Sequence, residues 1–401
     1  MSAAAPAHGS AHNAAPPASL AGLQRRALAT GGIGLAVLAA GWLMDAQQLY
    51  RSWLFAWVFW LGIALGCLGL LMLQHLTGGA WGIVARRFFE AGTRTLPVCA
   101  ALFLPILFGM RSLYPWADPA VVAADPVLQH KAGYLNPMFF TVRAVLCFAV
   151  WIGLAAILNS WSLRQDRGTE WDMPRRLGRL SGPGLGFYVL AMTFASVDWV
   201  MSLEPHWYST IFGFLFAASQ ALSAMAFTIV VLGRLSHEEP MRAVLTRSHM
   251  HDYAKLLFAF VMVWTYLAFS QFLIIWSGNL AEETPYYIAR LQGGWEWVAL
   301  LLVVLQFAVP FLLLVPRGLN FRSGVVVRVA LLILAMRLVD LWWMTAPAFH
   351  PASLHLHWLD LAAPVAIGGI WVGEFARQLR RQPLLPLGDP HIDEALAHGR
   401  H

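Results

Sequence analysis

The sequence predicts an all-α, polytopic membrane protein, and three observations lead to this prediction. The 401 residues are 59% hydrophobic and only 12% charged, whereas about a quarter of the residues of a soluble domain are charged. Apolar runs of about 20 residues, the length that a bilayer-spanning helix requires, recur along the chain. Basic residues are concentrated in alternate loops between these runs. We therefore expect one large membrane domain.

About ten transmembrane helices are predicted, and together they form a membrane domain at residues 27–376. The stretch 1–26 is rich in Ala, Pro and His and is expected to be a disordered cytoplasmic tail. The stretch 377–401 is expected to be a cytoplasmic tail, mobile from Gln382 onward. The predicted spans lie near residues 27–45, 53–74, 95–113, 136–159, 183–202, 209–233, 251–277, 295–315, 324–344 and 358–376.

The Lys and Arg residues predict the orientation of these helices. Nineteen of them fall on the side that the loops share with the N-terminus, and four fall in the opposite loops. Cytoplasmic loops carry an excess of basic residues, so we expect both termini in the cytoplasm. Because topology accounts for the positive charge, no nucleic-acid partner is needed. The largest loops are predicted at 160–182 on the basic side and at 113–135 on the opposite side, where the loop either lies against a partner or is a solvated connector.

Cysteine and histidine patterns argue against a cofactor bound by this chain alone. Cys67, Cys99 and Cys147 lie inside apolar spans and form no CxxC pair, so an iron–sulfur cluster, c-type haem or structural zinc is not expected. No predicted span has a His near its middle, as b-type haem would require. His355 and His357 alone are weak evidence for a metal.

The stretch DWVMSLEPHWYSTIFG, residues 198–213, combines titratable and aromatic groups in a short connection between two predicted spans. Charge near membrane depth is costly and usually functional, which makes Asp198 a candidate proton-path residue and Glu204 and His206 candidate site residues. The alternative is an interfacial aromatic belt beside a helix capped by Ser209. Most of the 19 Trp residues are interpreted as belt anchors.

The seventh predicted span begins with a polar stripe. His251, Asp252 and Lys255 share one helical face, and Tyr266 falls close to that face. The stripe indicates a proton or water path from the cytoplasm. The alternative is a lysine that extends to the interface and pairs with an aspartate.

Charges at the other end of the bundle suggest a second half of such a path. Arg337 and Asp340 are three residues apart on the ninth span, while Asp198 and Arg143 lie at a similar depth on neighbouring spans. We expect Asp198, Arg337 and Asp340 to form one polar cluster, separated from the cytoplasmic stripe by an apolar plug. The alternative is an ion-pair network with a purely structural role.

Four segments resemble quinone-binding subunit 2 of bacterial alternative complex III. They are DWVMSLEPHWYSTIFG, HMHDYAKLLFAFVMVWTYLAFSQFLIIW (249–276), EETPYY (282–287) and NSWSLRQD (159–166). Such subunits are polysulfide-reductase (NrfD-like) membrane proteins, and the resemblance implies two four-helix bundles plus two extra helices. It also implies a respiratory quinol:electron-acceptor oxidoreductase of the bacterial inner membrane, whose haems and iron–sulfur clusters lie in partner subunits.

The resemblance further implies partners and a role. The partners would be multihaem cytochromes, an iron–sulfur protein, a sister NrfD-like subunit, the bilayer and, in some assemblies, a terminal oxidase. This chain would interact with quinol or quinone, conduct protons, or do both, with no catalytic residue of its own. Glu204 and His206 are the candidate quinone-binding residues. A secondary transporter with a charged site between helices, and a membrane-embedded transferase that uses Glu204 and His206, are the competing interpretations.

Cysteine-accessibility labelling tests the predicted topology. A cysteine placed at His401 and one placed in the 113–135 loop should react from opposite sides of the membrane. Labelling of both positions by a membrane-impermeant reagent added on the periplasmic side would contradict the topology.

Overall fold

The computed structural model describes residues 17–168, 172–316 and 323–397, and these residues form helices and connections without any β-strand. Nine of the helices in these ranges are long and apolar enough to cross a membrane. A tenth long helix, Ser323–Thr345, carries Arg328, Arg337 and Asp340 and is not among those nine. The all-α, polytopic prediction is therefore confirmed.

The ten long helices are labelled in chain order, with the interrupted third and eighth helices each counted as one. Their bounds are α1 Ala18–Met44, α2 Ala46–Thr77, α3 Ala80–Phe108, α4 Pro137–Arg167, α5 Met173–Trp199, α6 Phe212–Leu235, α7 Arg247–Gly278, α8 Trp295–Leu314, α9 Ser323–Thr345 and α10 Trp358–Arg380. Short helices occupy Met110–Leu113, Pro115–Ala117, Pro119–Ala124, Pro126–Lys131, Met201–Leu203, Met241–Val244, Thr284–Arg290, Ala346–Ala348 and Ile392–Ala397.

The long helices pack as two groups of four plus a pair. Helices α2, α3, α4 and α5 surround one core, which we call the first bundle, and α6, α7, α8 and α9 surround another, the second bundle. The two bundles meet along α2, α6 and α5. Helix α1 packs along α10, and α10 in turn packs on α2. This arrangement agrees with the two four-helix bundles and two extra helices that the resemblance implies.

Helix α2 lies at the centre of the molecule because its sequence is apolar on every side. Its Trp57 lies in an aromatic cluster with Phe103, Phe148, Trp151 and Trp199, and the Trp57 and Trp199 ring centroids are 4.9 Å apart. Nine tryptophans are buried in the described part of the chain. The interpretation of most tryptophans as belt anchors is therefore wrong for about half of them, since aromatic rings also supply large apolar area to a core.

Helices α1, α2, α3 and α5 begin earlier than predicted, and the early starts of α1 and α3 correct two other expectations. Helix α1 starts at Ala18, so residues 18–26 are not a disordered tail; the stretch contains good helix formers, and its Leu20 is buried. Residues 1–16 of that predicted tail lie outside the described residues. Helix α3 starts at Ala80 rather than near residue 95. Its first half contains Arg86, Arg87 and Glu90, which the sequence pattern assigned to a loop.

The two long predicted loops are also largely helical. Most of 160–182 belongs to the ends of α4 and α5, and residues 169–171 lie outside the described residues. The segment 113–135 folds into short helices that begin at prolines, the residue suited to the first helical turn. Tyr114 and Leu128 of this segment are buried, and the Tyr114 hydroxyl donates to the Trp199 carbonyl at 3.0 Å. The segment is therefore packed on the first bundle.

The C-terminal segment packs on the membrane domain, so the prediction of a mobile tail is wrong for residues 382–397. Leu384, Leu385 and Leu396 are buried, and Asp389 contacts Arg86 of α3. Apolar burial and a charge pair together offset the entropy cost of ordering the segment. The remaining four residues lie outside the described residues.

Helix α8 changes its hydrogen-bonding pattern in the middle. Residues Val303–Ala308 form a π-helical turn between two α-helical pieces, and Pro310 follows it. Proline lacks the N–H that would donate to the carbonyl of Gln306 in an α-helix, which explains why the irregularity occurs here. Pro364, by contrast, lies inside α10 without ending it.

The α1–α10 contact depends on glycine and gives a testable prediction. A Cβ on Gly31 would lie 2.7 Å from the Ile370 backbone nitrogen, whereas nothing lies within 4 Å of a Cβ on Gly32. Small residues allow membrane helices to approach this closely. We expect Gly31→Leu to separate the helices and lower stability by about 1–3 kcal/mol, the usual cost of overpacking.

Gly32→Leu is the matched control, because it adds the same side chain to the neighbouring position on α1. Thermal unfolding in detergent should show a lower midpoint for Gly31→Leu than for Gly32→Leu. Equal midpoints would mean that α1 does not pack on α10 as described.

Candidate functional site

The first bundle contains a buried arginine–aspartate pair. Arg143 of α4 donates through Nε and Nη2 to both carboxylate oxygens of Asp198 on α5, at 2.6 and 3.0 Å. Its third nitrogen, Nη1, donates to the Tyr134 carbonyl, and the guanidinium lies 3.8 Å from the centroid of the Tyr134 ring. Every guanidinium nitrogen therefore has a partner, as a buried charge requires. We call this the Asp198 site.

The second bundle contains a pair of a different kind. Arg337 and Asp340 are three residues apart on α9, both are at most 4% exposed, and Arg337 Nη1 donates to Asp340. The pairing predicted from their spacing is confirmed. The indole of Trp264 and the amide of Gln306 face the Asp340 carboxylate, and the Arg337 guanidinium lies 5.9 Å from the Trp264 ring centroid. We call these four residues the Asp340 site.

The expectation that Asp198, Arg337 and Asp340 form one cluster is wrong. Among the described residues, no hydrogen bond or ion pair joins Asp198 to either residue of α9. Each carboxylate has its own arginine, and the two pairs belong to different bundles. Local pairing removes any electrostatic reason for the two aspartates to converge.

The polar stripe at the start of α7 lies on the outside of the bundle. The side chains of Lys255 and Asp252 are 60% and 29% exposed, and their charged atoms are 3.4 Å apart. Tyr266 is 69% exposed and faces away from the core. His251 is half-buried, and the helix is capped by Thr246 and His249. The face that carries Tyr266 therefore points away from the core of this chain, and the alternative of an interfacial lysine–aspartate pair agrees with the geometry. The proton path along this face stays a prediction.

The connection between α5 and α6 is held by contacts with its neighbours. Glu204 binds the buried Arg290 through two nitrogens at 2.7 and 3.3 Å, and Trp207 stacks on Tyr286 with ring centroids 3.7 Å apart. His206 is exposed and contacts Asp125 at 2.8 Å. Glu204 and His206, the two candidate quinone-binding residues, therefore contact different partners and do not converge on one ligand.

The predicted cap at Ser209 is wrong. Helix α6 begins at Phe212 without a side-chain cap, because the Ser209 hydroxyl donates instead to the Gln271 amide oxygen at 3.1 Å. The Gln271 nitrogen then donates to the Tyr287 hydroxyl. Burial raises the pKa of Tyr287 to about 12, so this hydroxyl keeps its proton at neutral pH.

A groove of about 590 Å³ lies beside Tyr287, between the end of α7 and the helix Thr284–Arg290. Phe272, Trp276 and Ile288 form apolar walls, and polar groups lie at its edge. An apolar pocket with a few polar groups is the usual form of a small-molecule site. This groove lies beside the resemblance segment EETPYY.

Sequence reasoning missed a buried ionic network on the predicted cytoplasmic side. Glu90 of α3 is 1% exposed and contacts Arg86 at 3.2 Å, Arg87 at 2.5 Å and the Ser162 hydroxyl at 2.5 Å. Asp166 of α4 pairs with Arg87, while Asp389 of the C-terminal segment pairs with Arg86 at 2.7 Å. The spacing of Arg86 and Arg87 from Glu90 places all three on one helical face, a signal that was present in the sequence.

No metal site is found in the described ranges, where no group of three or more His, Cys, Asp or Glu side chains could hold an ion. The rings of His350 and His355 lie 4.4 Å apart, and those of His355 and His357 lie 6.2 Å apart. His357 Nδ1 accepts from the Leu359 backbone and caps α10. The absence of a cofactor from this chain stays a prediction.

No family model matches this chain, and no curated protein matches it. The resemblance to a component of alternative complex III therefore depends on the four sequence segments described above. The all-helical fold agrees with it but does not identify it, because one fold can support many functions.

The ionic network gives a testable prediction for the C-terminal segment. Asp389→Asn removes the carboxylate from Arg86, which is 1% exposed. Leaving one member of a buried pair alone typically costs about 3–5 kcal/mol, and the cost here should be smaller because Arg86 keeps its contact with Glu90. We therefore expect the variant to have a lower thermal midpoint and faster protease cleavage of residues 382–397.

Asp393→Asn is the control, since Asp393 is an exposed carboxylate of the same segment. It should behave as the unmodified protein does. A normal midpoint and normal cleavage for Asp389→Asn would show that the Arg86–Asp389 contact does not hold the segment in place.

Proposed function

We propose that the chain is an integral membrane component of a respiratory quinol:cytochrome c, or other electron acceptor, oxidoreductase in a bacterial inner membrane. The four resemblance segments support this assignment, and the two-bundle architecture is consistent with it. The observation that carries the proposal is the Asp340 site: a titratable pair, fully enclosed within a membrane helix bundle. Intramembrane ionisable residues commonly mark proton relays or substrate paths.

The chemistry of quinol oxidation gives such a site a role. Oxidation releases two protons with two electrons, and the resemblance places the redox centres in partner cytochromes and an iron–sulfur protein. A chain of this type contributes by binding quinol, by moving protons or by holding its partners. Asp340 accepts a proton when its contact with Arg337 lengthens, because a nearby cation favours the ionised carboxylate and loss of that cation favours the protonated one.

The groove beside Tyr287 supports interaction with quinol better than Glu204 and His206 do. Glu204 is bound by Arg290, and His206 is exposed. The groove offers the aromatic rings of Phe272 and Trp276 and a protonated phenol at Tyr287. A planar quinone ring needs apolar walls and a hydrogen-bond donor for its oxygen, and the groove provides both.

One observation favours the competing interpretation of a secondary transporter. Transporters place their sites at interrupted helices near the middle of the membrane, and α8 contains a π-helical turn that faces Asp340. The same irregularity serves proton conduction equally well, since π-turns are frequent at functional sites of many kinds. The composition of the native assembly separates the two functions.

Purification from native membranes is the first test. An affinity-tagged chain should co-purify with multihaem cytochrome and iron–sulfur subunits, and the assembly should oxidise quinol. Isolation of a solitary protein that transports a solute in liposomes would overturn the proposal and support the transporter.

Variants of the Asp340 site provide the second test. Asp340→Asn removes the titratable group, and we expect it to slow quinol oxidation, or its coupling to proton movement, by roughly 10²-fold, the lower end of the contribution of a positioned acid–base group. Because this change leaves Arg337 unpaired, the double variant Asp340→Asn with Arg337→Gln keeps the site uncharged and should assemble better than the single variant.

Lys255→Met is the control. The Lys255 side chain is 60% exposed on the outer face of α7, so its loss should leave coupling close to that of the unmodified assembly. If the Asp340 variants lose assembled complex while the remaining complex couples normally, the pair has only a structural role.

A further inference from the structure

A chain of two hydrogen bonds leads from the α5–α6 connection to Tyr287 on the wall of the groove. The Ser209 hydroxyl donates to the Gln271 amide oxygen at 3.1 Å, and the Gln271 amide nitrogen donates to the Tyr287 hydroxyl oxygen at 3.1 Å. Gln271 is only 4% exposed, and a buried amide is normally bonded within the protein in this way. The chain has a direction, because Tyr287 is its acceptor end.

The orientation of the Gln271 amide decides which hydroxyl has a free proton. Tyr287 accepts from Gln271, lines the groove and has no other hydrogen bond within the described ranges, so its own proton is free to be donated to a ligand there. A reversed amide would receive the Tyr287 proton and leave the Ser209 proton without an acceptor. Ser209 is half-buried and does not line the groove. An unmade hydrogen bond at such a donor is costly, which favours the orientation found.

The short helix that carries Tyr287 is held in place on its other side. The buried Arg290 donates through Nη2 to the Met344 carbonyl at 2.7 Å, and Tyr286 stacks on Trp207 with ring centroids 3.7 Å apart. Tyr287 is therefore a fixed donor that needs little reorganisation when a ligand binds, and preorganisation of this kind increases affinity.

The remaining lining of the groove admits an apolar ligand but does not discriminate between donors and acceptors. Trp276 and Ile288 are 67% and 55% exposed, so the groove is open on the outer surface of the helix bundle. The other polar residues of the lining are Asn279, Thr284 and Gln292. Amide and hydroxyl side chains can each donate or accept. Selection between a donor and an acceptor on the ligand therefore depends on Tyr287.

We propose that Ser209 and Gln271 orient the Tyr287 hydroxyl as a donor into the groove, so that the groove binds oxidised quinone in preference to quinol. A quinone oxygen is a carbonyl and only accepts. A quinol presents a hydroxyl, which is a weaker acceptor and carries a proton that meets the Tyr287 proton. The choice of a quinone as the ligand rests on the proposed function, whereas the direction of the donor does not. The groove is then a site for the product of quinol oxidation.

Binding of a quinone and of its quinol to the purified native assembly tests this preference. A short-chain menaquinone analogue, and separately a short-chain ubiquinone analogue, is titrated into the oxidised assembly. The corresponding quinol is titrated anaerobically into the reduced assembly, which cannot accept its electrons. Tyr287→Phe should raise the dissociation constant of the quinone by roughly 3- to 10-fold, the effect of losing one uncharged hydrogen bond, and leave that of the quinol unchanged.

Tyr286→Phe is the matched control. It removes the same hydroxyl from the neighbouring residue, which does not line the groove, so both dissociation constants should stay as they are in the unmodified assembly. If Tyr287→Phe weakens quinol binding more than quinone binding, the phenol accepts rather than donates and the proposal is overturned. Unchanged binding of both ligands would also overturn it.

Ser209→Ala tests the positioning role of the chain. Without the Ser209 hydroxyl the Gln271 amide can turn over, and Tyr287 can then accept from a ligand as readily as it donates. We expect the ratio of the quinol to the quinone dissociation constant to fall toward one. A purely structural role for Ser209 would weaken both ligands equally and leave this ratio unchanged.

The infrared carbonyl band of an isotope-labelled quinone gives an independent readout. A hydrogen bond to the carbonyl oxygen lowers the frequency of this band. The shift that binding produces should shrink in Tyr287→Phe and persist in Tyr286→Phe. Equal shifts in the two variants would show that Tyr287 does not donate to the quinone.

Failure of this inference and failure of the proposed function can be told apart. If the assembly oxidises quinol while its Tyr287→Phe variant binds quinone normally, the proposed function stands and the inference is wrong. If the chain purifies without redox subunits but binds quinone through Tyr287, the proposed function is wrong and the inference stands.

Discussion

The pairing of buried arginines with carboxylates is the interaction on which the rest of this structure depends. In the described part of the chain, five arginines are at most 7% exposed, and each contacts an aspartate or a glutamate; they are Arg86, Arg87, Arg143, Arg290 and Arg337. An unpaired ion in such surroundings costs several kcal/mol, whereas a well-bonded pair is tolerated. The pairs that join different elements fix which of them are adjacent: α3 with α4 and the C-terminal segment, α4 with α5, and the α5–α6 connection with Thr284–Arg290.

This constraint explains which parts of the fold could be predicted from the sequence and which could not. Apolar length was sufficient to predict α6, α7 and α10 within about four residues, because hydropathy decides whether a segment enters the membrane. The first half of α3 was missed for the same reason. Its Arg86, Arg87 and Glu90 lower the local hydropathy, and the partners that stabilise them in the interior come from α4 and from the C-terminal segment. A hydropathy average over neighbouring residues cannot show that a charge is neutralised by a partner far away in the sequence.

The candidate site shows the same division between local and long-range information. Arg337 and Asp340 lie on one helix, so their spacing alone predicted their contact. Asp198 was correctly recognised as a buried charge, but its partner Arg143 is 55 residues away in the sequence. The predicted depth of the charges could not show that the Asp198 site and the Asp340 site lie in different bundles. For the stripe on α7, helical periodicity predicted a common face. It could not predict that this face points outward, because that depends on how α7 packs against its neighbours.

The two intramembrane pairs differ in a way that assigns them different roles. The Arg143 guanidinium is bonded through all three nitrogens and covered by an aromatic ring, so any movement would break several contacts at once. Arg337 contacts Asp340 through one nitrogen, and unpartnered groups of Arg337 and Gln306 lie beside it. Moving Arg337 therefore breaks fewer bonds, and other polar groups are available to receive the freed carboxylate. A pair in which every polar atom is bonded serves to join helices. A pair with unbonded polar atoms can rearrange its side chains. We therefore expect the second bundle, rather than the first, to be the part of the chain in which protonation changes.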